Sequence, residues 1–590
     1  MIYDYLVIGA YFALIIGIAF AFKRMAEKSS SDYFRGGGRM LWWMVGGSAF
    51  MAQFSAWTFT GAAGKAFTDG FAISLVFFAN TFAYICAWLF FAKRFRQMRV
   101  DTPTEGIRRR YGKGNEAFFA WALIVFGLIQ GGLWLNSLGV FASSFLQADL
   151  SLTIIITGLT ILIISVVTGA WGVVASDFIQ TLVVAIIATA CAIVALVKVG
   201  GPVNLVTEFP HDFVMGPNMN YGLLLFLTFV FFLPKQMTTM MNLNDSYRFL
   251  TAKDSKQATR AGLFAAILMG FGSIIFFIPP WATAILYPDA MAAFDGMGKK
   301  AGDAVFLVFA QNAMPAGTVG LLVAGLFAAT MSCMDSSLNK AAGIFVRSVY
   351  QPMLAKRNVI PSDKSLLRVG MLVSSIVGVL VILSALYLQS LKQLSLFDLM
   401  MQTSTLIQVP LLVPLILGIL IKRTPHWAPW ATVGVGMCVS WYMANIFSAQ
   451  WIAEALGLPP FTAREASDVG LMAAIAGHLV ITAGFFLLTQ LFYRSETDAY
   501  RADTDSFFED LKTPVVSESD YDESDRQQRD KLGLMVLIMA GGVLAMTLIP
   551  NPLSGRVIFA ACAGVLFLIG YMLKRNAKMT NAKMTDATAA

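Results

Sequence analysis

The residues whose types and spacing could hold an ion lie in one late apolar segment. Ser332, Asp335 and Ser336 follow the i, i+3, i+4 spacing that places two hydroxyls and one carboxylate on one face of a helix. Oxygen ligands of this kind suit a hard cation. Asp177 and Lys235 also lie within apolar segments, where each charge costs at least about 2.5–3.5 kcal/mol in a bilayer. These costly charges predict an ion or solute site inside a membrane protein.

Several other roles for these charges stay open from the sequence. Asp335 could form a structural ion pair with Lys340 or Lys235, Asp177 could cap its helix, and either carboxylate could bind a proton. Lys235 could in turn pair with Asp335 or Asp177, or it could attract the carboxylate of a solute. The sequence does not separate these alternatives.

Two apolar segments carry residues that interrupt a transmembrane helix. Residues 46–61 are rich in glycine, serine and threonine, and Pro234, followed by Lys235 and Gln236, stands near the centre of residues 231–239. Unpaired backbone groups at membrane depth must be buried in protein or line a cavity. Paired interruptions at matching positions of two halves indicate a transporter binding site. For the first segment alone, helix packing by small residues is the alternative.

The composition places these segments in a polytopic membrane protein. Of 590 residues, 57% are hydrophobic and 13% are charged, against about 25% charged in soluble domains. Soluble enzymes, nucleic-acid binders and secreted disulfide scaffolds are therefore excluded. The net charge of +8 has its source in basic loops. The five cysteines and three histidines have no spacing typical of a metal site or a disulfide framework.

A transmembrane helix needs about 20 mostly apolar residues, and this criterion predicts an all-α protein with about 14–15 such helices. Lysines and arginines cluster after the odd-numbered segments, which predicts cytoplasmic loops there and an N-terminus outside an inner (plasma) membrane. The first segment has neither a basic start nor a small-residue cleavage site, so a cleaved signal peptide is not expected. The predicted segments are 4–22, 41–66, 71–92, 118–146, 151–168, 172–198, 222–244, 261–286, 317–345, 368–388, 396–421, 428–447, 469–492, 532–549 and 556–573.

Three stretches resemble the sodium/solute symporter family, whose members include sodium-coupled sugar, proline, sialic acid, iodide and vitamin carriers. They are residues 31–43, residues 172–181 and residues 320–345. The resemblance extends over most of residues 1–490 and implies the inverted-repeat fold of the leucine-transporter type, a 5+5 core with interrupted helices. It also implies Na⁺ as the coupling ion.

The resemblance and the apolar pattern together predict a division of the chain into seven parts. The acidic part is expected to be a solvated linker, and the final part, which repeats Asn-Ala-Lys-Met-Thr, is expected to be disordered. The parts are a leading helix and loop at 1–40, the first five-helix repeat at 41–199, the second at 200–421, accessory helices at 422–493, an acidic cytoplasmic linker at 494–531, a C-terminal helical hairpin at 532–575 and a tail at 576–590.

The resemblance implies one Na⁺ site built from carbonyls of the interrupted helix and groups of the ninth segment. Its positions in this chain are the carbonyls of Met51, Phe54 and Ala329, together with Ser332 and Cys333. Cys333 departs from the family, where a hydroxyl is usual, and a neutral thiol is a poor ligand for Na⁺. The site is therefore expected to be weaker than usual or to be completed by water.

Some members of the family have a second ion nearer the cytoplasm. The matching positions here are Asp177, Ser332, Asp335 and Ser336. A serine is usual where this chain has Asp335. Two carboxylates would either bind a cation more tightly or leave one acid protonated, because like charges repel.

The solute pocket is expected between the interrupted segments and the eleventh segment. Phe77 and Met269 stand where sugar carriers have an acid and a lysine, so a hexose is not supported. Lys235 favours an anionic solute such as a carboxylate or an acidic sugar. The expected solute-binding residues are Gln53, Thr58, Asn80, Lys235, Gln236 and Gln402.

These observations predict a Na⁺-coupled secondary active symporter that imports a small polar solute across the lipid bilayer by alternating access. A H⁺-coupled symporter of the same fold and a transport-like solute sensor are the alternatives. An enzyme is not expected, because the sequence holds no catalytic constellation such as HExxH. The solute, the stoichiometry and the oligomeric state are not determined by the sequence.

Overall fold

The computed structural model describes residues 2–26, 36–292, 302–391, 395–517 and 523–589, so residues 31–35 of the first family-like stretch lie outside the described residues. Within these ranges the protein is helical, with one isolated parallel bridge between Met40 and Ala252 as its extended pairing. The α-helices are Ile2–Ala26, Trp42–Met51, Ala56–Phe59, Gly61–Asp69, Ala72–Cys86, Ala92–Gln97, Pro103–Tyr111, Lys113–Leu146, Leu150–Val199, Pro202–Thr207, Gly222–Met240, Tyr247–Leu250, Ser255–Ile275, Ile278–Leu286, Val305–Ala313, Thr318–Ile344, Gln351–Ala355, Asp363–Ser390, Leu396–Thr403, Val409–Leu420, Ala428–Asn445, Gln450–Ala455, Ala463–Gly477, Ala483–Leu488, Asp498–Asp510, Glu523–Ala545 and Leu553–Ala589.

The predicted all-α membrane fold is confirmed. Helical residues occupy each of the fifteen predicted segments. Among the described residues, eleven helical stretches are long and apolar enough to cross a bilayer, and two shorter apolar ones, Ile2–Ile18 and Leu150–Ser165, accompany them. The fifth and sixth predicted segments share one helical stretch, Leu150–Val199, called here the aspartate helix because it carries Asp177.

Residues 42–69 form three helical pieces and are called here the broken helix. The break between its first two pieces frees backbone groups at membrane depth, and neighbouring side chains bond to them. The Tyr84 hydroxyl donates to the carbonyl of Ala49. The backbone N–H of Ala56 donates to Thr330 Oγ1 at 3.0 Å. The break therefore persists because the surrounding helices supply partners that an isolated segment in lipid would lack.

The helix Thr318–Ile344, called here the serine helix, is buried along most of its length. It packs against the aspartate helix and against Ile2–Ala26. Gly320 makes the second contact possible, because a Cβ at this position would lie 2.4 Å from the carbonyl oxygen of Asp4. The N–H of Gly320 also donates to Asp4 Oδ1 at 2.9 Å. A small residue thus lets two backbones approach closely, as is common between membrane helices.

Pro234 does not interrupt its helix, which corrects the sequence prediction. The helix Gly222–Met240 continues through Pro234, and the chain leaves helical geometry at residues 241–246 instead. The hydroxyl of Thr238 donates to the carbonyl of Pro234 at 2.8 Å. A proline is tolerated in a membrane helix where neighbouring groups satisfy the backbone.

The described parts of the acidic linker, residues 494–517 and 523–531, are largely helical and packed rather than a solvated chain, which is a second correction; residues 518–522 of that linker lie outside the described residues. Residues Asp498–Asp510 form a helix whose Phe507 is fully buried, and Asp510 forms an ion pair with Arg99 at 2.8 Å. The tail predicted to be disordered at 576–590 also differs, since residues 576–589 continue the helix Leu553–Ala589. Its alanines, lysines and methionines are strong helix formers.

Candidate functional site

A cavity of about 200 Å³ lies beside the break in the broken helix. Its walls come from the broken helix, Ala72–Cys86 and Gly222–Met240, together with Lys113–Leu146 and the serine helix. At one end it reaches Asp245 and Lys340, which are partly exposed and lie 3.8 Å apart. Burial raises the pKa of the Asp245 carboxyl, and the Lys340 ammonium opposes that shift. This end lies on the side of the protein that carries the loops after the odd-numbered predicted segments, where lysines and arginines cluster. This side is called here the basic side.

The opposite end of the cavity is closed by aromatic rings. The indole of Trp57 stacks between Phe77 and Phe397, with ring centroids 6.2 and 5.9 Å away. Its Nε1–H donates to the carbonyl of Leu396 at 3.2 Å. The cavity therefore opens toward the basic side and is shut on the other.

Three of the predicted solute-binding residues lie together in the cavity wall. Gln53, Asn80 and Gln236 all line it, and the Gln236 amide donates to the side-chain oxygen of Asn80. Gln53 belongs to the break in the broken helix, and Gln236 lies on the helix Gly222–Met240. These amides offer donors and acceptors to a polar solute.

Lys235 lies next to this wall and is buried, with 1% of its surface exposed. Its Nζ is 3.9 Å from the sulfur of Met401, which lines the cavity, and 4.6 Å from the ring centroid of Phe232. No carboxylate of the described residues lies within ion-pair distance of its Nζ. The expected alternatives of an ion pair with Asp335 or Asp177 are therefore not found.

Two predicted solute-binding residues lie elsewhere. Thr58 is buried, with 1% exposure, and is not among the residues that line the cavity. Gln402 is exposed, because its helix turns Met401, Ser404 and Gln408 toward the cavity instead.

Residues predicted to bind Na⁺ lie at the break and on the serine helix beside it. The thiol of Cys333 lies 3.0 Å from the carbonyl oxygen of Phe54 and 3.6 Å from those of Met51 and Ala52. Ala329 and Ser332, also predicted ligands, lie on the same serine helix and are fully buried. Converging carbonyl oxygens are the ligands that a hard cation prefers, so the donor set fits Na⁺.

The predicted second cation site is occupied by a guanidinium group. Arg248 Nη1 lies 3.1 Å from Asp177 Oδ2, and Arg248 Nη2 donates to the hydroxyl of Ser336. Ser48 also donates to Asp177. Asp177 is thus neutralised by a residue of the chain, and the expected helix cap is not its role.

Asp335 has a different partner from the lysines proposed for it. It accepts a hydrogen bond from Ser165, whereas Lys340 pairs with Asp245. The structure brings Asp177, Ser332, Asp335 and Ser336 to one junction between the aspartate and serine helices.

The sequence prediction missed Arg248, Ser48 and Ser165. Arg248 was counted among the basic loop residues that set topology, yet only 5% of it is exposed. The sequence did hold one indication of this ion pair, because Arg248 follows the predicted segment 222–244 closely and lies on the same predicted side of the membrane as Asp177. The two serines carry no signal in a sequence rich in small polar residues.

The ion pair between Arg248 and Asp177 gives a stability prediction. Arg248→Gln leaves a buried carboxylate without its cation, and we expect the free energy of unfolding to fall by about 3–5 kcal/mol. The matched control is Lys512→Gln, which removes the exposed pair with Glu509 and should cost about 1 kcal/mol or less. Chemical denaturation in detergent measures both, and adding Asp177→Asn to Arg248→Gln should recover part of the loss. Equal losses for the two single variants would contradict the prediction.

Comparison with known proteins agrees with this architecture. The model of the sodium:solute symporter family matches residues 33–431. The sodium/sialic acid symporters of Aliivibrio fischeri and Proteus mirabilis are 25% and 26% identical, over 77% and 73% of this chain and 88% and 87% of theirs. The sodium/glucose cotransporter of Vibrio parahaemolyticus is 25% identical over 71% of this chain and 81% of its own length.

A solved structure has the same fold. It is the substrate-bound, outward-open state of a Na⁺-coupled sialic acid symporter, with a TM-score of 0.64 and 20% identity, covering 83% of this chain and 98% of that one. The family match spans more than half of the present chain. The chain therefore belongs to the sodium:solute symporter family.

Proposed function

We propose that this protein imports a small anionic solute together with Na⁺ by alternating access. The observation that carries this proposal is the cavity, whose lining joins Gln53, Asn80 and Gln236 to Ala52 and Cys333 at the break of the broken helix. One helix interruption thereby serves both ligands, because an ion that fixes the broken backbone also fixes the wall of the solute pocket. Such shared elements make the affinities for ion and solute mutually dependent.

The proposed Na⁺ ligands are the carbonyls of Met51, Phe54 and Ala329, the hydroxyl of Ser332 and the thiol of Cys333. The thiol of Cys333 contacts the same carbonyls that an ion would bind. Sodium binding then requires the thiol to turn aside or to act as a weak ligand. Both routes lower the affinity relative to a hydroxyl at this position.

The proposed orientation has the basic side in the cytoplasm and the N-terminus outside, since basic loops are retained inside. With this orientation the cavity is open to the cytoplasm, and the Trp57 layer separates it from the exterior. The structure then corresponds to the state from which solute is released.

Two arguments support an anionic solute. Lys235 is buried beside the cavity and has no carboxylate partner among the described residues, so a solute carboxylate would supply the missing charge. Two relatives are named as sialic acid symporters, and sialic acid carries a carboxylate. A relative named for glucose supports a neutral solute instead, and Lys235 is the residue that favours the first reading.

A H⁺-coupled symporter of the same fold is the second candidate, favoured by the buried carboxylate of Asp335 and its serine partner. A solute sensor would bind without translocation. Both alternatives would use the same cavity. The H⁺-coupled symporter differs from the first proposal in the ion that drives transport, and the sensor differs in that it does not transport the solute.

The primary test is a thermal-stability screen of solutes with and without Na⁺, followed by uptake into proteoliposomes. A ligand that binds the folded state raises the melting temperature. We expect acidic sugars or other carboxylates to stabilise the protein more in the presence of Na⁺, and uptake of the best solute to require an inward Na⁺ gradient. Uptake driven only by a proton gradient would support the second candidate, and binding without uptake would support the sensor.

Cys333→Ser should strengthen Na⁺ binding. A hydroxyl oxygen is a harder ligand than a thiol, so we expect the half-saturating Na⁺ concentration for uptake to fall several-fold. The matched control is Cys438→Ser, at an exposed cysteine away from the site, which should leave Na⁺ dependence unchanged. An unchanged Na⁺ requirement in Cys333→Ser would exclude the thiol from the ion site, and a higher requirement would contradict the prediction that a hydroxyl binds Na⁺ better at this position.

Lys235→Gln should weaken transport of an anionic solute. Loss of the ammonium removes the charge partner of the solute carboxylate, and we expect the KM to rise about ten-fold or more, equivalent to about 1.4 kcal/mol. An uncharged analogue of the solute should lose much less. Lys356→Gln, at an exposed lysine, is the control. Equal effects of Lys235→Gln on charged and uncharged solutes would assign Lys235 a structural role only.

A further inference from the structure

The acidic region that follows the accessory helices crosses the basic side and contacts three separate places there. It is called here the strap and consists of residues 498–517 and 523–528, beyond the family-matched range 33–431. Its helix Asp498–Asp510 begins with a Thr497 side-chain cap and buries Phe507. The strap therefore is an ordered part of the protein.

The first contact ties the strap to the helix Pro103–Tyr111. Asp510 forms ion pairs with both Arg99, at 2.8 Å, and Arg109. One carboxylate thus holds two guanidinium groups, which would otherwise repel each other. The pairs are partly exposed, so each is sensitive to charge changes in the strap.

An aromatic contact extends this attachment. The guanidinium of Arg110 lies 4.6 Å from the ring centroid of Tyr111 and 5.2 Å from that of Phe508 in the strap. The hydroxyl of Tyr500 donates to the carbonyl of Thr424 at 3.0 Å. Helix Pro103–Tyr111 in turn packs on Lys113–Leu146, one wall of the cavity.

The second contact joins the strap to the turn before Ser255–Ile275. The N–H of Ser255 donates to the carbonyl of Val515 at 3.0 Å, and the N–H of Val515 donates to Ser255 Oγ at 2.9 Å. Lys253 pairs with Asp525 at 2.9 Å, and both side chains are nearly fully buried. This pair is well shielded from salt.

The third contact reaches the start of the broken helix. The side-chain amide of Gln528 donates to the carbonyl of Arg39 at 2.9 Å and accepts from the N–H of Leu41 at 3.1 Å. Met40, between them, exchanges backbone hydrogen bonds with Thr251 and Lys253. The second and third contacts therefore hold one connected group of residues, which leads into the opposite wall of the cavity.

The strap thus spans the two walls between which the cavity opens. Asp510 and Val515 are five residues apart, so their separation is at most about 18 Å. If the mouth on the basic side closes by a movement of the broken helix relative to Lys113–Leu146, the contacts that the strap makes with both would not all be kept. In the structure the mouth is open and all three contacts are made.

We propose that the strap is a latch that stabilises the state open on the basic side, with Asp510 as its releasable end. The proposal does not depend on the identity of the solute. Releasing the latch should shift the population toward the state in which the cavity is closed on the basic side, because only the open state then loses favourable contacts.

The test replaces Asp510 with Arg, which removes both ion pairs and adds repulsion from Arg99 and Arg109. The reporter is a cysteine at the cavity-lining position Ser337, introduced as Ser337→Cys in every protein compared. Its alkylation by a membrane-impermeant maleimide added from the basic side is quantified by peptide mass spectrometry in Na⁺-free buffer. We expect Asp510→Arg to slow labelling by about two-fold or more, as a shift in population predicts.

The matched control is Glu509→Arg, the same charge reversal at the neighbouring exposed residue, which pairs only within the strap with Lys512 among the described residues. It should label at the parental rate. Combining Asp510→Arg with Arg99→Asp and Arg109→Asp restores opposite charges and should restore labelling. Asp510→Asn, which removes the ion pairs without adding charge, should act in the same direction as Asp510→Arg and serves if the reversal impairs folding. Labelling of the Asp510 variants at a rate equal to or faster than Glu509→Arg would overturn the proposal.

Discussion

The structure depends on how the backbone groups freed at the break of the broken helix are satisfied inside a membrane. Each unpaired group in lipid would cost several kcal/mol. Here the freed groups bond to Tyr84 and Thr330 or face the thiol of Cys333. These partners lie on other helices, so the break can exist only when the helices around it are assembled. The proposed ion site and the cavity both lie at the break and depend on that assembly.

Charged side chains inside the membrane also need partners within the protein. Asp177 is balanced by Arg248, and Asp335 is held by Ser165. Lys235 is the exception among these described side chains, because it meets only a thioether and an aromatic ring. An unbalanced charge beside a cavity is costly for the protein without its solute, and this cost is the physical basis of the solute-binding role proposed for Lys235.

The sequence was sufficient for the fold and for part of the site. Apolar length placed helical residues in each of the fifteen predicted segments, since a bilayer imposes that length directly; eleven helical stretches of the described residues are long and apolar enough to cross a bilayer. The glycines, serines and threonines of residues 46–61 located the break, and Gln53, Asn80 and Gln236, which were expected to bind the solute, line one cavity; their solute-binding role stays a prediction. The prediction that Pro234 interrupts its helix was wrong, because the helix Gly222–Met240 continues through it, and tertiary packing, which spacing along the chain does not encode, decides whether a proline ends a membrane helix. Arg248 and the strap were missed for a related reason: whether a charged residue near a segment end is solvated or buried depends on long-range contacts that spacing along the chain does not encode.

The contact of Cys333 with three carbonyls has a consequence for the unloaded carrier. A symporter must return to its starting conformation without its ion. In that step the carbonyls of Met51, Ala52 and Phe54 would face an unoccupied ion position. The thiol is a weak donor that can lie against them, as it does in this structure. At the proposed Na⁺ site, ion binding would exchange one partner of the carbonyls for another, and the free energy difference between the loaded and unloaded forms would be smaller than with carbonyls that have no partner. A thiol at this position would therefore lower the affinity for the ion and make the conformational change of the unloaded carrier less costly.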